Sequence, residues 1–180
     1  IIEELFNLIF KDMMSNKNDL IFERMSYHEA LKNYGCDKPD LRNPLILKDI
    51  KELVKKVDFK VFSDHVDNMN SRIVALKVPG GASLSRKHID DLTEIVKQFG
   101  GKGLAYFKCE DVSDIENGVI SPIKKFLTIE VIQNILDEVS AKNDDLIFFS
   151  ADSIEVVNSS MSALIKELGS GLNLLSDGWK

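Results

Sequence analysis

Residues 72–101 read RIVALKVPGGASLSRKHIDDLTEIVKQFGG, and the order of structural elements is clearest in this stretch. The mostly apolar run from Arg72 to Val78 is typical of a strand, and Pro79-Gly80-Gly81 stops it. Ser85 is suited to cap a helix, and Gly100-Gly101 to end it. One face of that helix is apolar, with these residues at helical spacing: Ile89, Leu92, Ile95, Val96 and Phe99. A helix with one apolar face must pack on another layer, so this stretch predicts a helix on a sheet.

The sequence on either side predicts more elements of both kinds. Strands are predicted at residues 59–62, 104–108, 123–126 and 145–149, and helices at 1–14, 26–35, 49–57, 128–139 and 152–168. A polar turn is predicted from Ser15 to Asp19. The central order is strand-strand-helix-strand-strand-helix-strand. It predicts an α+β fold, with an antiparallel or mixed sheet of four to five strands and helices packed on one face.

Composition and charge narrow the class of protein. The chain has 180 residues, of which 44% are hydrophobic and 29% charged, and its formal net charge is -6. These values exclude wholesale disorder, and the apolar runs are far shorter than the roughly 18 residues that span a bilayer. Residues 72–108 carry seven basic and three acidic side chains, net +4, although the chain as a whole is acidic. This basic segment indicates either a strip that contacts nucleic acid or an ordinary solvated helix face.

Other candidate sites each have a structural alternative. The turn at residues 79–85 precedes a helix, so its backbone N–H groups could bind a phosphate or could simply turn the chain. The loop 37–42 holds two aspartates, a lysine and an arginine, which could serve acid–base or metal chemistry or could form bracing ion pairs. Cys36 and Cys109 lack the spacing of a disulfide framework or a metal site. Together they predict a reducing, cytoplasmic setting.

Several motifs, in order along the chain, resemble bacterial-type aspartyl-tRNA synthetases, which are class II enzymes. Residues 27–44 read YHEALKNYGCDKPDLRNP, similar to the YxEAxxxYGSDKPDLRxP stretch of that family, with Cys36 where the family usually has Ser. The stretches 72–87, 103–106, 121–127 and 145–152 match the same family. The resemblance covers nearly the whole chain. A chain that starts with Ile1 instead of Met is then expected to be a piece of a longer protein.

The resemblance implies a division of the chain. Residues 57–151 are expected to be the GAD domain, inserted between two signature motifs of the catalytic domain, and residues 1–56 and 152–180 to be catalytic-domain segments on either side. The motifs that bind ATP, aspartate and Mg²⁺ are expected outside this chain. Consequently no catalytic, cofactor-binding or metal-ligating residue is predicted within it. The implied parent is an aspartate–tRNA ligase, a cytoplasmic homodimer without a membrane segment, which uses ATP and Mg²⁺.

Two roles remain open for this piece. It could be an RNA-facing lobe near the tRNA acceptor arm, or a scaffold without RNA affinity that packs on the rest of the catalytic domain or on a protein partner. Phosphate contacts rely on lysine and arginine. For the first role they are predicted at these residues: Arg72, Lys77, Arg86, Lys87 and Lys102. A weaker third hypothesis is an independent enzyme that uses loop 37–42 or the Gly80-Gly81 turn, but the isolated 180 residues are predicted to be inactive.

Overall fold

The computed structural model describes residues 1–14 and 21–178, and in them the chain forms seven α-helices and five strands. The predicted turn from Ser15 to Asp19 lies outside the described residues. None of the described helices is long and apolar enough to cross a membrane. The helices are α1 (Ile2–Met14), α2 (Tyr27–Tyr34), α3 (Lys60–Val66), α4 (Arg86–Gln98), α5 (Ile115–Gly118), α6 (Ile129–Glu138) and α7 (Ile154–Gly171). The strands are β1 (Leu47–Asp49), β2 (Ser71–Val78), β3 (Ala105–Cys109), β4 (Val119–Ile120) and β5 (Asp145–Ser153).

The five strands form one antiparallel sheet in the order β1-β2-β5-β3-β4. Its centre is the long pairing of β2 with β5, from Ser71↔Ser153 to Val78↔Leu146. On its other side β5 pairs with β3, from Ala105↔Phe149 to Cys109↔Asp145. The predicted α+β fold with an antiparallel sheet is therefore confirmed.

Helices cover both faces of this sheet, so the prediction that they pack on one face is wrong. On one face α3, α5 and α6 pack over a core that includes Ile73 and Ile147. On the other face α4 and α7 pack over a core that includes Val74 and Phe148. Successive residues of a strand point to opposite faces, and the central strands are apolar at successive positions. Both faces must therefore be buried, as in strands that lie between two layers.

Two of the predicted strands are wrong. Residues 59–62 lead into α3, where Phe59 and Phe62 are one helical turn apart and meet edge to face, with ring centroids 5.1 Å apart. Four alternating residues are too few to separate a strand from the first turn of a helix. Residues 124–126 form a short 3₁₀ turn, and Phe126 stacks on Phe59 at 5.0 Å. The edge strand β4 lies just before it instead.

The predicted helix at residues 49–57 is also wrong. Residues 47–49 form β1, and turns follow through residue 56, beginning where the Asp49 side chain accepts a hydrogen bond from the Lys51 N–H at 3.1 Å. The spacing also predicted burial of Ile50, Leu53, Val54 and Val57. Ile50, Val54 and Val57 are buried, and Leu53 is partly buried against the same core. Turns can bury the same side chains as a helix, so burial at helical spacing did not identify the backbone conformation.

The capping signals placed three helices correctly. Ser26, Ser85 and Thr128 cap α2, α4 and α6, as predicted, and Ser153 caps α7. The last helix begins after residue 152 because β5 continues to Ser153. The helix was predicted to end at residue 168, but α7 continues through Gly169 to Gly171.

The first helix keeps an apolar face that the described residues do not cover. Leu5, Leu8 and Ile9 lie at helical spacing, and their exposed fractions are 54%, 61% and 39%. Phe6 approaches Phe22 with ring centroids 6.3 Å apart, and Glu3 forms an ion pair with Arg24. The amphipathic pattern therefore predicted the helix correctly but not its burial.

Candidate nucleic-acid interface

Arg72 is buried, with only 7% of its surface exposed. Its guanidinium donates to the Leu31 carbonyl at 3.2 Å, to Asn158 Oδ1 at 2.9 Å and to the carbonyl of Lys32. It also forms an ion pair with Asp49 at 3.4 Å. Burial lowers the pKa of Arg72 and Asp49 opposes that shift. These contacts join β2 to the end of α2 and to α7, and they argue against a phosphate contact at this residue.

Lys77 and Lys102 are more accessible, but each has a partner within the chain. The Lys77 ammonium donates to the Ser140 carbonyl at 2.9 Å. Lys102 Nζ lies 3.2 Å from an oxygen of Asp152, and the Lys102 side chain is 79% exposed. The Asp152 side chain is only 17% exposed, but solvent around the Lys102 ammonium weakens the attraction, so Lys102 is less firmly held than Arg72.

Arg86 and Lys87 lie side by side in the first turn of α4, and both are exposed. Among the described residues, neither side chain forms a hydrogen bond or an ion pair. The N-terminal end of a helix carries positive partial charge, so two cations there repel it and are available to an anion. Of the five predicted contacts, this adjacent pair is exposed and has no side-chain partner among the described residues.

In the turn at residues 79–85, three backbone N–H groups donate hydrogen bonds to acceptors of the same chain. Gly80, at a φ of 68°, donates to the Asp145 carboxylate at 3.2 Å. Ala82 donates to the Asp144 carbonyl, and Leu84 to the Gly81 carbonyl. These bonds account for the turn without a phosphate.

The loop 37–42 holds an ion pair. Arg42 donates to both oxygens of Asp40, at 2.9 Å from Nε and 2.7 Å from Nη2. Hydrogen bonds from Arg42 lower the pKa of Asp40 to about 2. No group of three or more metal-binding side chains exists among the described residues. The bracing role, one of the two alternatives for this loop, is therefore the one that the geometry supports.

A cleft of about 510 Å³ opens where α3, the loop after α4 and the end of β5 meet. Lys60, Asp64 and His65 line it from α3, and Lys102 and Asp152 line the opposite side. The His65 Nδ1 atom is buried and has no hydrogen-bond partner in the described part of the chain. Burial raises the pKa of Asp152, but the Ser153 N–H and Lys102 outweigh it, so this pKa lies below its ordinary value.

The two cysteines differ in accessibility. Cys36 is half-buried and Cys109 is fully buried, and both are free thiols. Burial, with the nearby Asp145 carboxylate, raises the pKa of Cys109 to about 12. A thiol in that environment is neutral and unreactive, so Cys109 is a core residue.

Comparison with known proteins identifies the family of this chain. The sequence matches the family model of the GAD domain over residues 62–161, more than half of the chain. The chain belongs to the GAD domain family. This GAD-containing chain is 48% identical over all 180 residues to the Aspartate--tRNA(Asp/Asn) ligase of Legionella pneumophila strain Corby, and 47% identical to that of strain Paris. It spans 30% of the length of these curated relatives.

The GAD match runs from α3 into α7 and includes β2, β3, β4 and β5. The remaining strand, β1, precedes it but pairs with β2 in the same sheet. The boundaries at residues 57 and 151 stay predictions.

Sequence reasoning missed the cleft between α3 and the end of β5. Because residues 59–62 were predicted as a strand, helix α3 was not predicted, and neither was the placement of Lys60 and His65 on it. A usable signal was present in Gly101-Lys102-Gly103, where two glycines flank a lysine ahead of a strand, and in Asp152 just after an apolar strand.

Proposed function

We propose that this chain is part of an aspartate–tRNA ligase, in which it forms a non-catalytic insertion domain and the segments beside it. The observation that carries the proposal is the 48% identity over all 180 residues to an Aspartate--tRNA(Asp/Asn) ligase. The parent would activate aspartate with ATP and Mg²⁺ bound by residues outside this chain, and would transfer the aspartate to tRNA. Its other proposed partners are the rest of the catalytic domain and a second copy of the parent, in a reducing cytoplasm.

Two activity measurements test this proposal. The protein from the full reading frame is expected to attach aspartate to tRNA in the presence of ATP and Mg²⁺. The isolated 180-residue chain is expected to give no ATP–pyrophosphate exchange. Exchange by the isolated chain would refute its non-catalytic role, and a full-length protein inactive with aspartate would refute the ligase assignment.

We further propose that the N-terminal end of α4 faces the tRNA acceptor arm, with Arg86 and Lys87 as the principal phosphate contacts. Both are exposed, adjacent and without a partner among the described residues. Lys77 and Lys102 would contribute only by leaving their present partners. Arg72 is excluded from the proposed surface because its guanidinium is buried and occupied.

The test is an NMR titration of the ¹⁵N-labelled chain with an acceptor-stem minihelix at low salt. The largest shifts are expected at the start of α4. The double variant Arg86→Gln/Lys87→Gln should weaken binding and reduce the slope of log K against log salt by up to about 2, one for each phosphate contact. The control, Lys55→Gln/Lys56→Gln, removes the same charge from an exposed pair outside the basic segment and should leave the slope unchanged.

The second candidate function is a scaffold without RNA affinity. One observation favours it: three of the five predicted contacts, Arg72, Lys77 and Lys102, already bind groups of the same chain. Absence of shifts at the start of α4 in the titration would support this role and contradict the RNA-facing one.

A further inference from the structure

Strand β5 extends beyond its neighbour β3. The last pair between β3 and β5 is Ala105↔Phe149, whereas β5 continues to Ser153. Beyond Phe149, β5 is paired only with β2, on its opposite edge. The residues just before β3, Gly103 and Leu104, belong to no strand. An edge of β5 is therefore open where it enters the cleft described above.

The register determines which backbone groups this edge presents. Ile50 N donates to the Ile73 carbonyl, so the neighbouring residue Val74 directs its N–H and C=O toward β5. Ser150, the β5 partner of Val74, must then direct its N–H and C=O toward β2. The hydrogen bond from Ile154 N to the Asn70 carbonyl agrees, because Ile154 is four residues further along and points to the same side. Ala151 is one residue from Ser150, so its N–H and C=O point the opposite way, to the open edge.

The open edge is only one residue long. Phe149 is paired with Ala105, and the Ser153 N–H donates to Asp152 Oδ1 at 2.8 Å. Between them, within the described chain, Ala151 N–H and C=O make no hydrogen bond. One donor and one acceptor side by side suit a small planar group better than an added peptide strand, which requires a longer row of partners.

The cleft around Ala151 has an apolar floor and charged walls. Phe62, Ile123 and Phe149 form part of the floor, and the volume of about 510 Å³ is typical of small-ligand sites. The charged groups that line it are Lys60, Asp64, His65, Lys102 and Asp152. Of the two lysines, Lys60 forms no ion pair among the described residues, and Lys102 forms one ion pair, with the partly buried Asp152.

We propose that this cleft binds an unpaired nucleotide, whose base bonds through its Watson–Crick edge to Ala151 N–H and C=O. Adenine offers a ring nitrogen that accepts and an amino group that donates, which complements this pair, and proteins commonly read unpaired bases on that edge. The base would lie on the apolar floor, and Lys60 and Lys102 would contact the phosphate. The nucleotide could be free or could be the unpaired end of an RNA; only the second source rests on the proposed RNA-facing role.

The experiment titrates the ¹⁵N-labelled chain separately with adenosine 5′-monophosphate, with a short single-stranded RNA that ends in adenosine, and with a blunt RNA duplex. Binding in the cleft is expected to shift the amides of Ala151 and Gly103 with the first two probes and not with the duplex. Shifts with the mononucleotide alone would identify a free nucleotide as the ligand. Shifts with the RNA strand alone would identify an RNA end.

Two variants with matched controls locate the site. A Cβ added at Gly103 meets no atom within 4 Å, so Gly103→Leu can fill the cleft without disturbing the core. It is expected to weaken binding at least about tenfold, the equivalent of one or two lost contacts. Gly171→Leu adds the same side chain at an equally open position outside the cleft and should bind as the unaltered chain does. Lys60→Gln should weaken binding of the phosphate-bearing probe, whereas Lys56→Gln should not.

The outcomes separate this inference from the RNA-facing proposal. If the duplex shifts the start of α4 while no probe shifts Ala151, the cleft site is wrong and the RNA-facing surface stands. If the mononucleotide shifts Ala151 while the duplex leaves α4 unchanged, the cleft site stands and that surface is wrong. Equal binding by Gly103→Leu and Gly171→Leu would overturn the placement of the ligand in the cleft.

Discussion

At the scale of single residues, the guanidinium group of Arg72 holds three parts of the fold together. It donates to backbone carbonyls at the end of α2 and to Asn158 of α7, while its own backbone lies in β2. A planar group with five donors can bond to several acceptors at once, which a lysine ammonium cannot do with the same geometry. The residue stabilises the junction of the sheet with α2, which precedes the GAD region, and with α7, in which that region ends.

Arg72→Met should destabilise the chain, because it keeps an apolar stem but leaves the acceptors around it unpaired. The free energy of unfolding in urea is expected to fall by about 2–3 kcal/mol, the magnitude typical of hydrogen bonds to a charged group. The control Arg86→Met changes an exposed arginine and should stay within about 0.5 kcal/mol. Equal effects of the two substitutions would contradict the structural role of Arg72.

The Asp40–Arg42 pair should make stability depend on acid pH. Because the native state lowers the pKa of Asp40 from 3.8 to about 2, the carboxylate is favoured by folding. Its contribution is therefore complete above the ordinary pKa and is lost as the pH falls from about 4 to about 2. A ¹³C carboxyl NMR titration should find Asp40 still ionised at about pH 3. Arg42→Gln should return its midpoint toward 3.8, whereas Arg24→Gln, which breaks a different ion pair, should not.

At the scale of elements, helix α7 is packed so closely against the loop before β1 that one of its positions has room only for glycine. A Cβ at Gly169 would lie 2.1 Å from the Asn43 Nδ2 atom. That amide is buried, and it donates to the Ile165 carbonyl of the same helix at 2.8 Å. The contact explains a glycine inside a helix, where its conformational freedom would otherwise be a disadvantage.

Alanine substitutions at the two last glycines of α7 should differ in their effect on stability. Helix propensity alone favours alanine over glycine by about 1 kcal/mol in a helix interior. Gly169→Ala should nevertheless lower the urea midpoint, because the added methyl displaces Asn43. Gly171→Ala meets no atom within 4 Å and should leave the midpoint unchanged or raise it slightly. A higher midpoint for Gly169→Ala would show that the close approach is not rigid.

At the scale of the whole molecule, the sheet lies between two layers of helices, and its centre is the pairing of β2 with β5. Ile73, Val74, Ile147 and Phe148 are all fully buried. Such strands can lose their hydrogen bonds to solvent only when the surrounding layers open. By contrast, α1 exposes much of its apolar face.

Native-state hydrogen exchange should follow this arrangement. Amides in the centre of β2 and β5 are expected to exchange most slowly, at the rate of global unfolding, and those of α1 among the fastest. The measurement is exchange monitored by NMR or by mass spectrometry of peptides. Protection of α1 equal to that of β5 would contradict the distribution of contacts described here.

The predictions that succeeded depend on contacts between residues close together in the sequence, whereas those that failed depend on contacts between residues far apart in it. Serine and threonine caps placed α2, α4 and α6 because a cap bonds within three residues of itself. The strand predicted at residues 59–62 failed because its alternation was short and the aromatic contacts that stabilise α3 come from Phe126 and Phe149. Likewise, the basic segment predicted a charged strip, but nothing near Arg72 in the sequence indicated that Asn158 would bind it.

Local patterns in the sequence were sufficient for the central strands, the capped helices and the motifs of the family. The tertiary structure alone decided that helices lie on both sides of the sheet, that Arg72 is buried, and that β5 extends past β3 into a cleft. The reason is physical: propensities and caps act between neighbours along the chain, whereas strand order, burial of a charge and an open strand edge depend on residues far apart in sequence that meet only when the whole chain has folded.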